Sequence, residues 1–170
     1  MGSKKKIKER TKARQQAISL LYSSAMVDKP ALDILENGLY PSSDLEISEY
    51  AEALVVGTQQ HLHDIDARIA DISQNWTLDR MPLVDLAILR VAVYEMLYCS
   101  EVPVSVAISE AVEVAKSFGA EDESSRFING VLGKIACAVE GENTANECAG
   151  DECQADEHQA DEHQANECHE

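Results

Sequence analysis

Residues 102–132 read VPVSVAISEAVEVAKSFGAEDESSRFINGVL, and this stretch sets the fold class. It has the pattern helix, short polar loop, helix. Pro103 suits a first helical turn, where its missing N–H removes no bond. Val106, Ile108, Val112, Ala115 and Phe118 recur at helical spacing. Gly119 follows the last of them, where a left-handed residue ends a helix at no steric cost. Ser124 or Ser125 is placed to cap a second helix starting near Arg126. That helix carries Phe127, Ile128, Val131, Leu132, Ile135 and Val139 on one stripe and is expected to stop at Gly141.

The rest of the chain carries the same period. Residues 83–97, LVDLAILRVAVYEML, are apolar nearly all round, broken only by Asp85, Arg90 and Glu95. Such a helix is wrapped by others. Arg90 then needs a partner, because an unpaired buried charge is very costly. Asp85 lies on a different face, so a carboxylate of another helix is expected. Residues 4–26 read as one helix with Ala13, Ala17, Ile18, Leu20, Leu21 and Ala25 on its apolar side. Lys8, Lys12, Gln15, Ser19 and Tyr22 fall three or four apart on one face, with Arg10 and Arg14 beside them. A short helix is expected over 30–37, with a turn at Gly38. Ser43 and Glu46 fit a capping box. The helix after it carries Ile47, Tyr50, Ala51, Leu54, Val55 and Thr58 and ends near His61. Ile65, Ile69 and Ile72 mark a further helix over about 64–74, and residues 76–82 form a connector. His61 and His63 share no helical face, so they mark a joint rather than a metal pair. No alternating run suggests a strand. The chain is expected to be all-α, with about seven helices between residues 4 and 140.

Charge divides the 170 residues into three parts. Residues 1–16 carry a net +6, residues 17–140 a net −13, and residues 141–170 a net −10 with no basic residue. The overall −17 therefore hides a basic arm on an acidic body. Distribution matters more than the sum, and a basic helix face is an electrostatic footprint for phosphate. It can equally be a solvated face. The expected division is a basic arm over 1–7, a helical domain over 8–140 and an acidic tail over 141–170.

The tail repeats every five residues: NECAG, DECQA, DEHQA, DEHQA, NECHE. It has almost nothing apolar to bury and is expected to be disordered. Its third position is always Cys or His, residue types that bind borderline metals. The spacing matches no finger or ribbon, so no metal site is assigned. The tail can also screen the basic arm. Cys99 and Cys137 stand alone in apolar helices and are expected to be small core residues. No secretory segment and no run long enough to span a bilayer is present, so a soluble, cytoplasmic protein is expected, with no membrane partner.

No catalytic or cofactor-binding pattern appears: no phosphate-cradling glycine loop, G-x-S-x-G, H-E-x-x-H or C-x-x-C. Glu110, Glu113 and Lys116 read as surface pairs. The residues alone leave open, in this order, a helical interaction module, a nucleic-acid-binding helical domain, and an enzyme with an unreadable site.

Several blocks narrow this choice. V-A-I-S-E-A-V-E-V-A-K-S-F-G and F-I-N-G-V-L, with A-I-S-L-L-Y near the N-terminus and V-D-L-A-I-L-R-V-A-V-Y-E in the centre, resemble the bacterial transcription antitermination factor NusB family, in its order and at its spacing. The resemblance covers most of residues 8–136. It implies an all-helical fold of two packed three-helix sub-bundles plus a helix, no enzymatic activity and no cofactor. It implies binding to the boxA RNA of ribosomal RNA operon leaders together with NusE, the ribosomal protein of the S-ten family, within the RNA polymerase antitermination complex. Lys8, Arg10, Lys12 and Arg14 correspond to the family's arginine-rich arm. Lysine neutralises phosphate but lacks the two-pronged planar contact of arginine. Tyr22 and Asp85 match positions at the NusE and RNA surface, with Asp85 where the family often has Glu. Asp122 and Phe127 match the loop and helix start near bound RNA. The chain carries one residue more than a common form of that loop, within 123–125.

Overall fold

A computed structural model describes residues 2–38, 46–73, 77–119 and 122–148. Among them are seven α-helices and no strand: α1 (Gly2–Val27), α2 (Ala31–Glu36), α3 (Glu49–Gln60), α4 (Leu62–Ile72), α5 (Leu83–Tyr98), α6 (Val104–Ser117) and α7 (Asp122–Cys148). A single 3₁₀ turn, Leu78–Arg80, precedes α5. Helices α1, α2 and α3 pack on one another, as do α5, α6 and α7, and α4 lies against α5 and α7. The expected two sub-bundles plus a helix are present. None of the helices is long and apolar enough to cross a membrane.

Helix α5 is the axis. It packs against α1, α3, α4, α6 and α7, and Leu86, Ala87, Ile88, Leu89, Val91, Ala92, Val93 and Met96 are all buried. Each buried Leu, Ile or Val there contributes about 1.5–3 kcal/mol. Arg90 does take its partner from another helix. Its guanidinium donates two parallel bonds of 2.8 Å to Asp66 of α4. The pair is only partly buried, at the rim of α5.

Several boundaries differ from expectation, some for a tertiary reason and one for a local one. Helix α3 starts at Glu49, not after Ser43. Ser48 is its N-cap and accepts from the Ala51 N–H, while Glu46 and Ile47 are not helical. Gln16 of α1 holds this entry, accepting from the Ser48 N–H and donating to the Glu46 carbonyl. Ser43 lies outside the described residues. Gly119 ends α6 as expected, at φ +76°, with its N–H on the Lys116 carbonyl. Helix α7 begins at Asp122, so Ser124 and Ser125 sit inside it rather than capping it. The Ser124 hydroxyl instead donates to Asp85 at 2.7 Å. Gly141 does not stop α7, which runs on to Cys148. One glycine costs a helix only about 1 kcal/mol against alanine, and glutamates flank it on both sides. Residues 149–170 lie outside the described residues.

The buried face of α6 is Ala107, Ala111, Val114 and Ala115, whose small side chains admit α5 and α7 closely. Val106 and Phe118, expected in that stripe, are exposed, as are Ala25 and Cys137. His61 caps the end of α3 and the start of α4, the expected joint. Its ring stacks on Tyr98 at 3.8 Å between centroids, and Tyr94 stacks beside Tyr98 at 5.6 Å. Gly57 of α3 makes room for this stack. A Cβ there would lie 2.1 Å from the Tyr94 ring.

A buried ionic cluster joins four helices. Arg14 of α1 is 4% exposed and Glu95 of α5 is 1% exposed. The Arg14 Nε lies 3.0 and 2.9 Å from the two Glu95 oxygens. One Arg14 terminal nitrogen donates to Glu110 of α6 at 2.9 Å. Tyr50 of α3 donates its hydroxyl to Glu95. The Thr11 hydroxyl lies 2.7 Å from Glu110 and 3.0 Å from the Ile7 carbonyl. Its single proton favours the charged acceptor. The Arg10 guanidinium lies 4.9 Å from the Tyr50 ring centroid, a cation on the face of the ring that binds Glu95. Burial pulls the Arg14 pKa down, but the hydrogen bond and charge of Glu95, with Tyr50 and Glu110, outweigh it and the net shift is upward. Burial, and then the hydrogen bond and charge of Glu95, raise the Tyr50 phenol well above its ordinary range. Cys99, which caps α5, is pushed from 9 to about 11 by burial and then by the charges of Glu101 and Glu95.

Arg14→Ala is expected to destabilise the fold by about 3–5 kcal/mol in urea unfolding, because it strands the buried Glu95 charge. Arg14→Met combined with Glu95→Leu is expected to recover part of that loss, since an apolar pair leaves no buried charge unpaired. Gly57→Ala is expected to lower stability by about 1–3 kcal/mol by driving Tyr94 out of its stack. In a short alkylation pulse at about pH 8, the exposed Cys137 is expected to label well before Cys99, because the thiolate is the reactive form. Peptide mass spectrometry reads the order.

Candidate nucleic-acid interface

The N-terminal half of α1 carries half of the chain's 14 Lys and Arg residues in successive turns. Lys5, Lys6, Lys8 and Lys12 are exposed and Arg10 is half-buried over Tyr50. Of these, Lys5 has a carboxylate nearby, Glu9 at 3.9 Å, a long and exposed contact of little energy. The first turns of α1 continue the body helix without a break, so the segment expected as a separate arm over 1–7 is helical from Gly2.

The structure removes Arg14 from the exposed set. It was expected beside Lys8 and Lys12, but its charge is fully engaged by Glu95 and Glu110. A signal for this lies in the sequence. Arg14 is three, four and seven residues before Ala17, Ile18 and Leu21, in phase with the buried stripe. Glu110 is likewise no member of a surface pair. Only Glu113 and Lys116 meet as expected, at 3.6 Å.

The remaining residues lie as follows. Gln15 donates to the Ser117 hydroxyl at 3.0 Å, fixing the polar edge of α1 against the last turn of α6. Lys12 and Lys8 precede Gln15 by three and seven residues, so they continue the same edge. The chain turns at Gly119 directly after this contact and reaches α7 at Asp122. Thr11 meets Glu110 while Gln15 meets Ser117, so α1 and α6 run in the same direction, and Lys12 and Lys8 lie about one and two turns of α1 back from the end of α6. Asp122 opens α7, and its side chain lies outside the described residues. Phe127 is half-buried and packs against the core. Tyr22 is also half-buried against the core. Asp85, expected at a surface, is 4% exposed. Its carboxylate holds Ser124, and so fixes the first turn of α7 to the start of α5. Asp85 sits in the first turn of α5, where a negative charge suits the helix dipole. Among the described residues no group of three potential ligands could hold a metal ion.

Taken together, the arrangement offers exposed cations in a row along α1, suited to holding a polyanion by its phosphates. A family model, the NusB family, matches residues 11–137. The transcription antitermination protein NusB of Thermoanaerobacter sp. (strain X514) is 47% identical over 124 residues, 73% of this chain and 87% of the relative. That of Salinispora arenicola (strain CNS-205) is 43% identical over 129 residues, 75% of this chain and 94% of the relative. Among solved structures, T. maritima NusB superposes with a TM-score of 0.65 at 33% identity, covering 75% of this chain and 89% of that one. A chain from the complex of the antitermination factors NusB and NusE with dsRNA superposes at 0.62 with 26% identity, covering 76% and 96%. Match and geometry agree across the helical body, and the chain belongs to the NusB family.

Proposed function

We propose that the chain is a transcription antitermination factor that binds the boxA RNA of ribosomal RNA operon transcripts together with NusE. It acts in the cytoplasm within the RNA polymerase antitermination complex, by recognition and without catalysis. The observation that carries this reading is the row of exposed cations Lys5, Lys8 and Lys12 along α1, a helix that the Gln15–Ser117 contact fixes against α6. Its support from relatives is the NusB and NusE complex with dsRNA, whose NusB-like fold is shared here.

In this reading Lys5, Lys8 and Lys12 neutralise phosphates, and Arg10, half-held over Tyr50, offers its free edge. The contacts are those of point charges, so affinity leans on ionic strength. Arg14 contributes by holding α1 in place rather than by touching RNA. In the same reading Asp122 and Phe127, in the first turns of α7, take part in meeting a splayed base. Tyr22 takes part in the NusE surface. Asp85 acts through Ser124, positioning the start of α7. A helical protein-interaction module without an RNA role is the competing reading. Titrating labelled boxA RNA with and without NusE separates the two.

Lys8→Ala with Lys12→Ala is expected to weaken boxA binding and to flatten the slope of log K against log salt by about 1.4, near 0.7 for each phosphate deprived of its lysine. The α-helical circular dichroism should be unchanged, since both side chains are exposed. An unaltered affinity and slope would remove the α1 face from the interface.

A further inference from the structure

We propose that the acidic C-terminal segment, residues 149–170, docks on the exposed basic face of α1 and competes with RNA for it. This rests on the RNA reading above for its consequence, though not for the docking itself. The occupant is fixed by charge. Eight carboxylates and no cation follow Cys148. Half of the chain's 14 Lys and Arg residues fall within its first 16 positions, and the other seven stand singly along the sequence. Of those seven, Arg90 is committed to Asp66, Lys116 pairs with Glu113, and Arg68 has an interaction of its own. Residues 17–140 carry a net −13 and repel a polyanion. The α1 face, with Lys5, Lys6, Lys8 and Lys12 exposed, is therefore where the electrostatic energy of the segment is lowest.

Length permits the contact. The 22 residues after Cys148 span up to roughly 75 Å when extended, against a body of about 148 residues roughly 40 Å across. Attachment to the same chain gives an effective concentration on the order of millimolar, enough for weak ionic contacts to count. The acidic residues come largely as adjacent pairs every five positions: Asp151 with Glu152, Asp156 with Glu157, Asp161 with Glu162. Five extended residues advance about 17 Å, while Lys5 to Lys12 spans about 10 Å of helix. Two successive pairs are therefore far enough apart to reach past both ends of the cationic row. The consequence is discrimination. Non-cognate RNA held by charge alone is displaced by the tail, whereas a site with added base contacts outcompetes it.

The test uses the full chain with the eight carboxylates beyond Cys148 replaced by their amides. Fluorescence anisotropy with a single-stranded RNA of unrelated sequence should show the amide variant binding about fivefold tighter than the native chain at about 50 mM salt, with the difference vanishing near 0.5 M. Equal affinities at low salt overturn the competition. A mere change in net charge would also tighten RNA binding, so a labelled peptide of residues 149–170 is titrated onto the amide variant without RNA. Saturable binding that Lys8→Ala with Lys12→Ala abolishes supports docking on α1. No binding, or binding indifferent to those lysines, overturns it. If the peptide docks and neither chain binds any RNA, the RNA reading fails while the docking stands.

Discussion

The Arg14–Glu95 pair is the constraint on which the rest of the architecture depends. Its bonds tie α1 to α5, and through Tyr50 and Glu110 to α3 and α6. A carboxylate 1% exposed in the most apolar helix of the chain would be prohibitive without a partner. The guanidinium is suited to the place because it offers several donors in a rigid plane and reaches two carboxylates at once. Removing Arg14 would leave Glu95 with a phenol alone. Together with the buried Ala17, Ile18, Leu20 and Leu21, this side chain sets the orientation of α1 and hence the direction of its lysines.

That constraint links stability to surface chemistry. Neighbouring cations of the same helix differ in role because they differ in phase. Arg14 faces α5, Arg10 leans over Tyr50, and Lys8 and Lys12 face solvent. Gln15 then fixes the edge between the lysine row and α6. A face built in this way is anchored at its base and exposed at its lysine tips. Asp85 plays a similar part at the other end of α5, where its carboxylate anchors Ser124 and the start of α7.

The acidic tail belongs to the same electrostatic picture. A net −17 chain with a cationic helix face is a poor partner for RNA only if charge is averaged. Taken by position, the body repels polyanions, the α1 face attracts them, and the tail is itself a polyanion tethered nearby. In the proposed competition tail and RNA draw on one surface, and selectivity depends on contacts that charge alone does not supply.

How much was legible without coordinates can be judged from particular residues. The all-α class, the buried central helix, the turn at Gly119 and the interhelical partner of Arg90 follow from period, composition and the cost of an unpaired charge, all local properties. The family resemblance rests on blocks in order and is equally local. Ser48 rather than Ser43 as a cap and the carboxylates that hold Arg14 are not legible that way, because each depends on a neighbour far along the chain, whereas α7 passing Gly141 turns on the small local cost of one glycine. Gln16 selects Ser48, Glu95 and Glu110 draw in Arg14, and Asp85 occupies Ser124. The sequence by itself determined the helices and the charge they carry. Only the tertiary structure decided which charges are spent inside the fold and which remain for a partner, because a side chain's phase on its helix becomes burial only once another helix packs against it.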